Sequence, residues 1–452
     1  MRIDRSFAER IIEEARRKGA ECEVYARHKK GVSVEAKGGQ LENVKTSEDF
    51  GYSVRVVKDH RTGFSYSTSA ENDLQVLEKA LDAAKYTEED MNFGLPAPAR
   101  ISLEEISAQS PEIFDPAVES MGAEGAFEKA LAIEKSARGA DSRIKRVRSA
   151  IASFSSEEVY LANTLGISGT YSSTAAVAQI MAVAEEAGES QMGFDFMGST
   201  ALAEVDFESV GRNAAQRALM LLGAKRTAPF KGPVLLDNAT AADFLAIFAS
   251  MLSAESVQKG KSLLKGKLGT EVINPMMDIF DDGLLRHGLG TRPFDDEGVP
   301  ASKKALIEAG ILKGFMHNTY TAKKEGARST GNAVKAGIAS TPGVGPLNLY
   351  LAPSRDGKAE KAGDLFKKVE KGLYVVEAMG MHTANPISGE FSIGVTGLLI
   401  EGGKLSHPVK EAVISGNILA LFEKVHAIGD DLKFFGSTGS PSILIGPIDI
   451  SA

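Results

Sequence analysis

Seven histidines are the obvious metal ligands of this chain: His28, His60, His287, His317, His382, His407 and His426. No two stand three to five residues apart, so no helix face presents a pair of them as a zinc-peptidase helix does. His317 and His382, each in a Gly/Asn-rich stretch, are the best candidates for a site assembled from distant segments. The commoner role for either is a solvated or backbone-bonded imidazole. Phe294–Gly298 (FDDEG) places Asp295, Asp296 and Glu297 side by side. Three carboxylates could bind a cation or move protons. The favoured expectation is a solvated turn in which Asp295 or Asp296 bonds the backbone.

Other chemistries fail on spacing. Gly260–Lys267 (GKSLLKGK) imitates a phosphate loop. However, five residues rather than four separate its glycines, and Leu268 stands where Ser or Thr should meet Mg²⁺. No dinucleotide fingerprint is present, since Thr291, Arg292 and Pro293 follow Gly288 and Gly290. There is no G-x-S-x-G elbow, and Ser437–Ser440 reads as a polar turn. Cys22 is the single cysteine. It precludes an intrachain disulfide, fits a reducing cytoplasm, and reads as a small buried residue. Lys259, Lys261, Lys265 and Lys267 form a basic patch, by default a solvated loop and otherwise a carboxylate or peptide C-terminus site.

The elements that must position these groups can be read from periodicity. Asn238–Gln258 reads as one amphipathic helix, opened by a Thr240/Asp243 capping box and carrying Phe244, Leu245, Phe248, Met251 and Leu252 on its apolar face. It holds no His and no Cys. A helix over Ser6–Lys18, opened by Ser6 and Glu9, precedes strands at Glu21–Arg27, Val32–Lys37 and Gly51–Lys58. In the last of these, Tyr52, Val54 and Val56 alternate with Ser53, Arg55 and Val57. A helix follows at Asp73–Tyr86. Met91–Pro116 reads as loop, Phe127–Ser136 as helix, and Arg143–Phe154 and Glu157–Ala162 as strands. Thr174–Glu185 fits helix or buried strand, and Phe207–Leu222 is a helix. Lys225–Gly232 is a plausible boundary, dividing an N-terminal α+β domain (1–226) from a C-terminal domain (227–452). The second is expected to be strand-rich, mostly antiparallel and barrel-like. Leu306–Leu312 and Leu399–Leu405 both read as hairpins.

The bulk properties exclude several classes. The 452 residues suffice for a large core, and 43% hydrophobic with 25% charged content is that of an ordinary soluble protein. A net charge of −8 argues against a broad phosphate-binding surface, so direct nucleic-acid contact is not expected. No apolar run is long enough for a membrane span, and the N-terminus lacks the apolar core of a signal peptide.

Taken together, the C-terminal half resembles the TldD/PmbA family. The matching stretches are SAESVQKGK (Ser253–Lys261), PFDDEGVP (Pro293–Pro300), ILKGFMHN (Ile311–Asn318), TAKKEG (Thr321–Gly326), STGNA (Ser329–Ala333), GMHTANPISGEFS (Gly380–Ser392), GLLIEGGKLSHP (Gly397–Pro408) and ISGN (Ile414–Asn417). The family has TldD-type chains, with a His-Glu…His metal motif on a helix and a C-terminal cysteine ligand, and PmbA (TldE)-type chains without them. Counting back from Lys259-Gly260, the motif positions fall near Leu245, Ala246 and Ser250, none of which ligates a metal. The resemblance therefore implies the PmbA (TldE) branch. It implies a cytoplasmic metallopeptidase complex in which a TldD-type partner carries zinc, this chain holds no cofactor, and the substrates are small or unfolded peptides. The older family name, modulator of DNA gyrase, would describe an indirect effect. His317, Asn318, Asn385, Ser388 and Glu390, with Asp295, Asp296 and Glu297, are the expected substrate-contacting residues, set against a scaffold role for each. Two other readings stay open. One is a self-sufficient metallopeptidase whose site joins His317 and His382 to the Asp295–Glu297 carboxylates. The other is a homodimeric peptide-binding protein.

Overall fold

Within Ile144–Asn163 every second residue from Ala150 to Ser156 is buried, and Ala150, Ala152 and Phe154 face the same way. That period makes a strand with one face against helices. The computed structural model describes residues 3–100, 102–355 and 357–451. In it this strand pairs antiparallel with Glu21–Lys37 at the centre of a six-stranded sheet. The sheet order is Arg61–Ser67, Gln40–Lys58, Glu21–Lys37, Ile144–Asn163, Ser168–Glu186, Glu189–Ser199. The layout repeats. A helix (Ser6–Arg17), three meandering strands and a helix (Asp73–Ala84) are followed by a helix (Ala123–Ala140), three meandering strands and a helix (Phe207–Met220). The two first strands meet at the centre. Each helix pair caps its own half of the sheet, in separate hydrophobic clusters.

Small residues set how closely the helices approach. Gly63 lies on one edge strand and Gly193 on the other. A Cβ at Gly63 would stand 1.9 Å from the Ala80 carbonyl oxygen, and one at Gly193 would stand 2.1 Å from that of Ala214. Thr174–Glu185, open between helix and strand by composition, lies within the strand Ser168–Glu186. Its alanines 176, 178, 182 and 184 all point under the helices.

Several expected boundaries shift. Glu21–Arg27 and Val32–Lys37 are one strand, as are Arg143–Phe154 and Glu157–Ala162. The polar interruptions face each other, Gly31 opposite Ser155, without breaking the ladder. Ser6 and Glu9 do not cap the first helix. Arg5 holds the N-cap position with no side-chain bond, and the Ser6 hydroxyl donates to Asp4 instead, at 3.0 Å. The Met91–Pro116 loop contains a short helix, Leu103–Gln109, with a Ser102/Glu105 capping box.

The C-terminal half closes into a five-strand barrel. Ile443–Ser451, Lys404–Asn417, Glu390–Glu401, Lys371–Met379 and Phe230–Leu236 follow one another, and the last pairs back to the first. All pairings are antiparallel except that of Lys371–Met379 with Phe230–Leu236. Both predicted hairpins form, with Glu308 opposite Ile311 and Glu401 opposite Lys404. A second sheet, centred on Met277–Asp282 and Leu349–Pro353, shares the same hydrophobic cluster. Among the described residues no helix is long and apolar enough to cross a membrane.

The Asn238–Gln258 segment is not a single helix. It runs as α-helix over Asn238–Ala249, tightens to a 3₁₀ turn at Ser250–Leu252, and restarts at Ala254–Gln258. The break has a tertiary cause. Met316 N–H donates to the Leu252 carbonyl at 2.9 Å, and Ala254 N–H donates to the Met316 carbonyl at 3.0 Å. Ser253 is drawn into extended geometry between them. The start also differs. Asp237, not Thr240 with Asp243, is the N-cap, and its carboxylate accepts from Thr240 N–H at 2.8 Å.

Two substitutions test the packing. Gly193→Ala should destabilise the protein by about 1–3 kcal/mol in urea unfolding, because its methyl meets helix backbone on a rigid strand. Gly139→Ala, at an exposed helical position with open space around it, should instead stabilise it by about 0.5–1 kcal/mol.

Candidate functional site

The Phe294–Gly298 segment is not a solvated turn: Asp295, Asp296 and Glu297 are 1%, 4% and 0% exposed. It lies against the face of the N-terminal sheet that the helices leave free. Phe294 packs edge-on against Tyr171, with ring centroids 5.2 Å apart, in a cluster with Tyr25 and Leu161. Around Tyr25, Leu161 and Tyr171 both sheet faces are therefore covered. This also explains why Ser53 and Arg55, which alternate with Tyr52, Val54 and Val56 along the strand, are buried as well.

Charge is concentrated at this seam. The Arg55 guanidinium touches Glu23 Oε2 at 2.7 Å and Glu297 Oε1 at 2.9 Å. Lys335 Nζ reaches Glu23 at 3.5 Å, donates to Ser53 Oγ at 3.0 Å, and sits 4.5 Å from the Tyr25 ring centre. Arg292 pairs with Asp296 at 3.2 Å. Glu297 also accepts from Thr319 N–H at 2.8 Å, and Asp296 from Lys335 N–H at 2.7 Å. Asp295 accepts three backbone N–H groups, those of Glu297, Val299 and Ala333.

Ionisation follows from burial and pairing. Burial pushes the Glu23 carboxyl up, but Arg55 and Lys335 outweigh it and hold Glu23 below its usual range. Burial lowers Lys335, with Arg55 adding to the fall and Glu23 opposing it. Asp295 is pushed up to about 8 by burial and then by Glu297, against its three N–H donors. These carboxylates are committed to backbone and guanidinium, so they join the two halves rather than face a substrate. Glu23, Arg55, Arg292 and Lys335 escaped the sequence reading because they lie far apart along the chain. The one available signal was a charged residue between Val54 and Val56.

His317 is also buried, 3.8 Å from Glu325. Burial lowers its imidazole pKa, with Glu325 pulling the other way. Its Nδ1 has no hydrogen-bond partner. Its backbone N–H donates to Thr330 Oγ1 at 2.7 Å. Asn318 caps the helix Thr319–Lys324, accepting from Thr321 N–H at 2.9 Å. Asn385 shapes an exposed turn by accepting from Ile387 and Ser388 N–H. Ser388 accepts from Glu390 N–H at 3.3 Å, and the Glu390 side chain is exposed. His382 is exposed on the turn Met381–Thr383, whereas His317 and the FDDEG carboxylates are buried. Among the described residues no three His, Cys, Asp or Glu side chains gather where they could hold a metal ion.

The degenerate positions separate by environment. Leu245 is 0% exposed, within the cluster that includes Phe244, Phe248 and Phe391. Ala246 faces outward, and Ser250 donates its hydroxyl to the Ile247 carbonyl at 2.9 Å. None offers a metal donor, so these residues do not fit zinc. Cys22 is wholly buried, and burial raises its thiol pKa well above the usual range.

Lys335→Met should cost about 3–5 kcal/mol in urea unfolding, since it strips Glu23 of one of its two cations in a dry site. Glu23→Gln in the same chain should recover part of that loss. The native state keeps a proton on Asp295 that the unfolded chain releases above about pH 4, so the contribution of this group falls as pH rises toward 8. Urea midpoints should drop between pH 6 and 8.5, and Asp295→Asn should shrink that drop.

Three family domain models match in succession: PmbA/TldA metallopeptidase domain 1 over residues 22–85, the central domain over 116–222, and the C-terminal domain over 229–452. The metalloprotease PmbA of Escherichia coli O157:H7 is 28% identical over 446 residues, covering 97% of this chain and 94% of that protein. A TldD homologue of Haemophilus influenzae is also 28% identical, over 84% of this chain and 80% of its own length. Among solved structures, a protein of Thermotoga maritima MSB8 described as a candidate modulator of a DNA gyrase superposes with a TM-score of 0.89 at 31% identity. That match covers 98% of this chain and 99% of the other. TldE of Thermococcus kodakarensis has the same fold, with a TM-score of 0.89 at 23% identity over 99% and 100% of the two chains. With its two halves, its barrel and its sequence all matched along nearly the whole length, the chain belongs to the PmbA/TldD metallopeptidase family.

Proposed function

We propose that this chain is the catalytically silent, PmbA (TldE)-type subunit of a cytoplasmic metallopeptidase complex. A TldD-type partner holds the zinc, and the complex cleaves small or unfolded peptides. The observation that carries this reading is Leu245. It stands where the resemblance puts a metal-binding histidine, and it is sealed in the core with Phe244 and Phe248. A peptidase centre needs donors open to substrate on at least one side, and Leu245, Ala246 and Ser250 supply none.

The fold also supports a peptide-holding role. Gln40–Asp49 is exposed throughout and pairs with Glu21–Lys37 on one side only, because Arg61–Ser67 joins its strand no earlier than Tyr52. Its other edge has no strand partner among the described residues, which suits backbone pairing with an extended peptide. The exposed Asn385–Glu390 turn is a second contact surface. His317 and Asn318 hold the segment beside the helix break.

The test is reconstitution. The chain purified alone should contain no stoichiometric zinc and cleave no unfolded peptide, and cleavage should appear on mixing with a TldD-type chain. Zinc and cleavage in the lone chain, both lost in His317→Ala, would overturn the reading.

A further inference from the structure

A cavity of about 530 Å³ opens where three segments meet: Pro111–Pro116, the residues after the edge strand Glu189–Ser199, and the Arg286–His287 turn of the C-terminal half. That volume is in the range of small-ligand sites. Ile113, Phe114 and Ala201 supply apolar wall, and Arg286, His287 and Thr200 supply polar groups. These three are tied to one another. Thr200 N–H donates to the His287 carbonyl at 3.2 Å, and Arg286 Nε–H donates to His287 Nε2 at 3.0 Å.

What these residues have left over is donors. With Nε2 accepting from Arg286, the imidazole proton is on Nδ1, and Nδ1 has no hydrogen-bond partner. The Thr200 hydroxyl has none either, in a residue only 3% exposed. Folded proteins rarely leave buried polar groups unpaired. The His287 side chain is 25% exposed, so its ring has room to present Nδ1 to a guest. The exposed Arg286 guanidinium makes no ion pair among the described residues, which leaves its terminal nitrogens open to a partner.

The neighbouring carboxylates do not fill the place. Both Asp115 oxygens accept backbone N–H groups, from Ala117 and Leu202, at 2.8 Å. Glu204 approaches His287 at Nε2, 3.7 Å away, and not at Nδ1. Glu112 lines the cavity but is exposed and does not pair with Arg286. A cationic guest would meet Arg286, and a purely apolar one would leave the donors unfilled. A carboxylate on an apolar body answers both the donors and the wall.

We propose that this cavity takes the C-terminal carboxylate of a peptide. Arg286, His287 Nδ1 and the Thr200 hydroxyl donate to it, and an apolar last side chain lies against Ile113 and Phe114. The proposal rests on the peptide-handling reading for the source of the carboxylate, and deepens it by naming which end of the peptide is held.

The isolated full-length chain is titrated calorimetrically with Nα-acetyl-alanyl-leucine, its C-terminal amide and the free acid 4-methylpentanoate. The peptide acid should bind at least about tenfold more tightly than the amide, and more tightly than 4-methylpentanoate. Arg286→Gln, at an exposed position, should erase the preference for acid over amide with the fold intact by circular dichroism. Thr200→Val, which keeps the shape of the buried side chain, should weaken the acid and leave the amide unchanged. Equal binding of acid and amide, no binding of either, a preference untouched by Arg286→Gln, or 4-methylpentanoate binding as tightly as the peptide acid would overturn the proposal. No partner or cleavage enters this measurement, so its failure leaves the reconstitution result standing, and failure of reconstitution leaves this result standing.

Discussion

The two halves of this protein are joined by charge taken out of water. Arg55, on the N-terminal sheet, lies between Glu23 of its own sheet and Glu297 of the C-terminal half. Each of those ions is costly to bury alone, and each is tolerated because the others and several backbone N–H groups surround it. This arrangement demands register as well as proximity. Glu23 and Arg55 face each other across adjacent strands, and the 294–298 turn must place Glu297 against both. A slip of one residue along either strand would turn the pair to the other face. The apolar contact between Phe294 and Tyr171 keeps the site dry enough for the ion pairs to matter.

The same economy explains the barrel helix. Phe244 packs against Phe391 at 5.0 Å and Phe248 against Phe422 at 5.3 Å, so one side of the helix is committed to barrel packing. Leu245 belongs to that side. A histidine there would have to leave the core or bury an unpaired imidazole. Residue type and core packing together leave no metal donor at this position. The break after Ala249 sets the direction of the remaining turn, because the backbone of Met316, bridged to Ser253, takes the groups a continuous helix would have used.

Much of the element order was legible. Period-2 alternation located the strands, and the repeated helix–strands–helix layout of the first half was visible in its first copy at Ser6–Tyr86. What failed locally failed for nonlocal reasons. Capping at Ser6 and Thr240 was misread because neighbouring Asp4 and Asp237 supply the carboxylates actually used. Arg55 gave no sign of its role because its strand alternates cleanly, and alternation cannot reveal that a second layer covers the polar face. The FDDEG triplet looked like a surface turn for the same reason.

By itself the sequence determined composition, strand and helix periods, the family resemblance, and the absence of ligating side chains at Leu245, Ala246 and Ser250. Those are properties of residue type and spacing, which need no partner segment. Tertiary structure alone decided that three adjacent carboxylates are a buried joint, that Leu245 lies in the core while Ala246 faces out, and that Thr200 and His287 line one cavity. The physical reason is common to all three. Burial and ionisation depend on what packs against a residue from elsewhere in the chain, and Arg55 and Glu297 are brought together only when the sheet and the barrel dock.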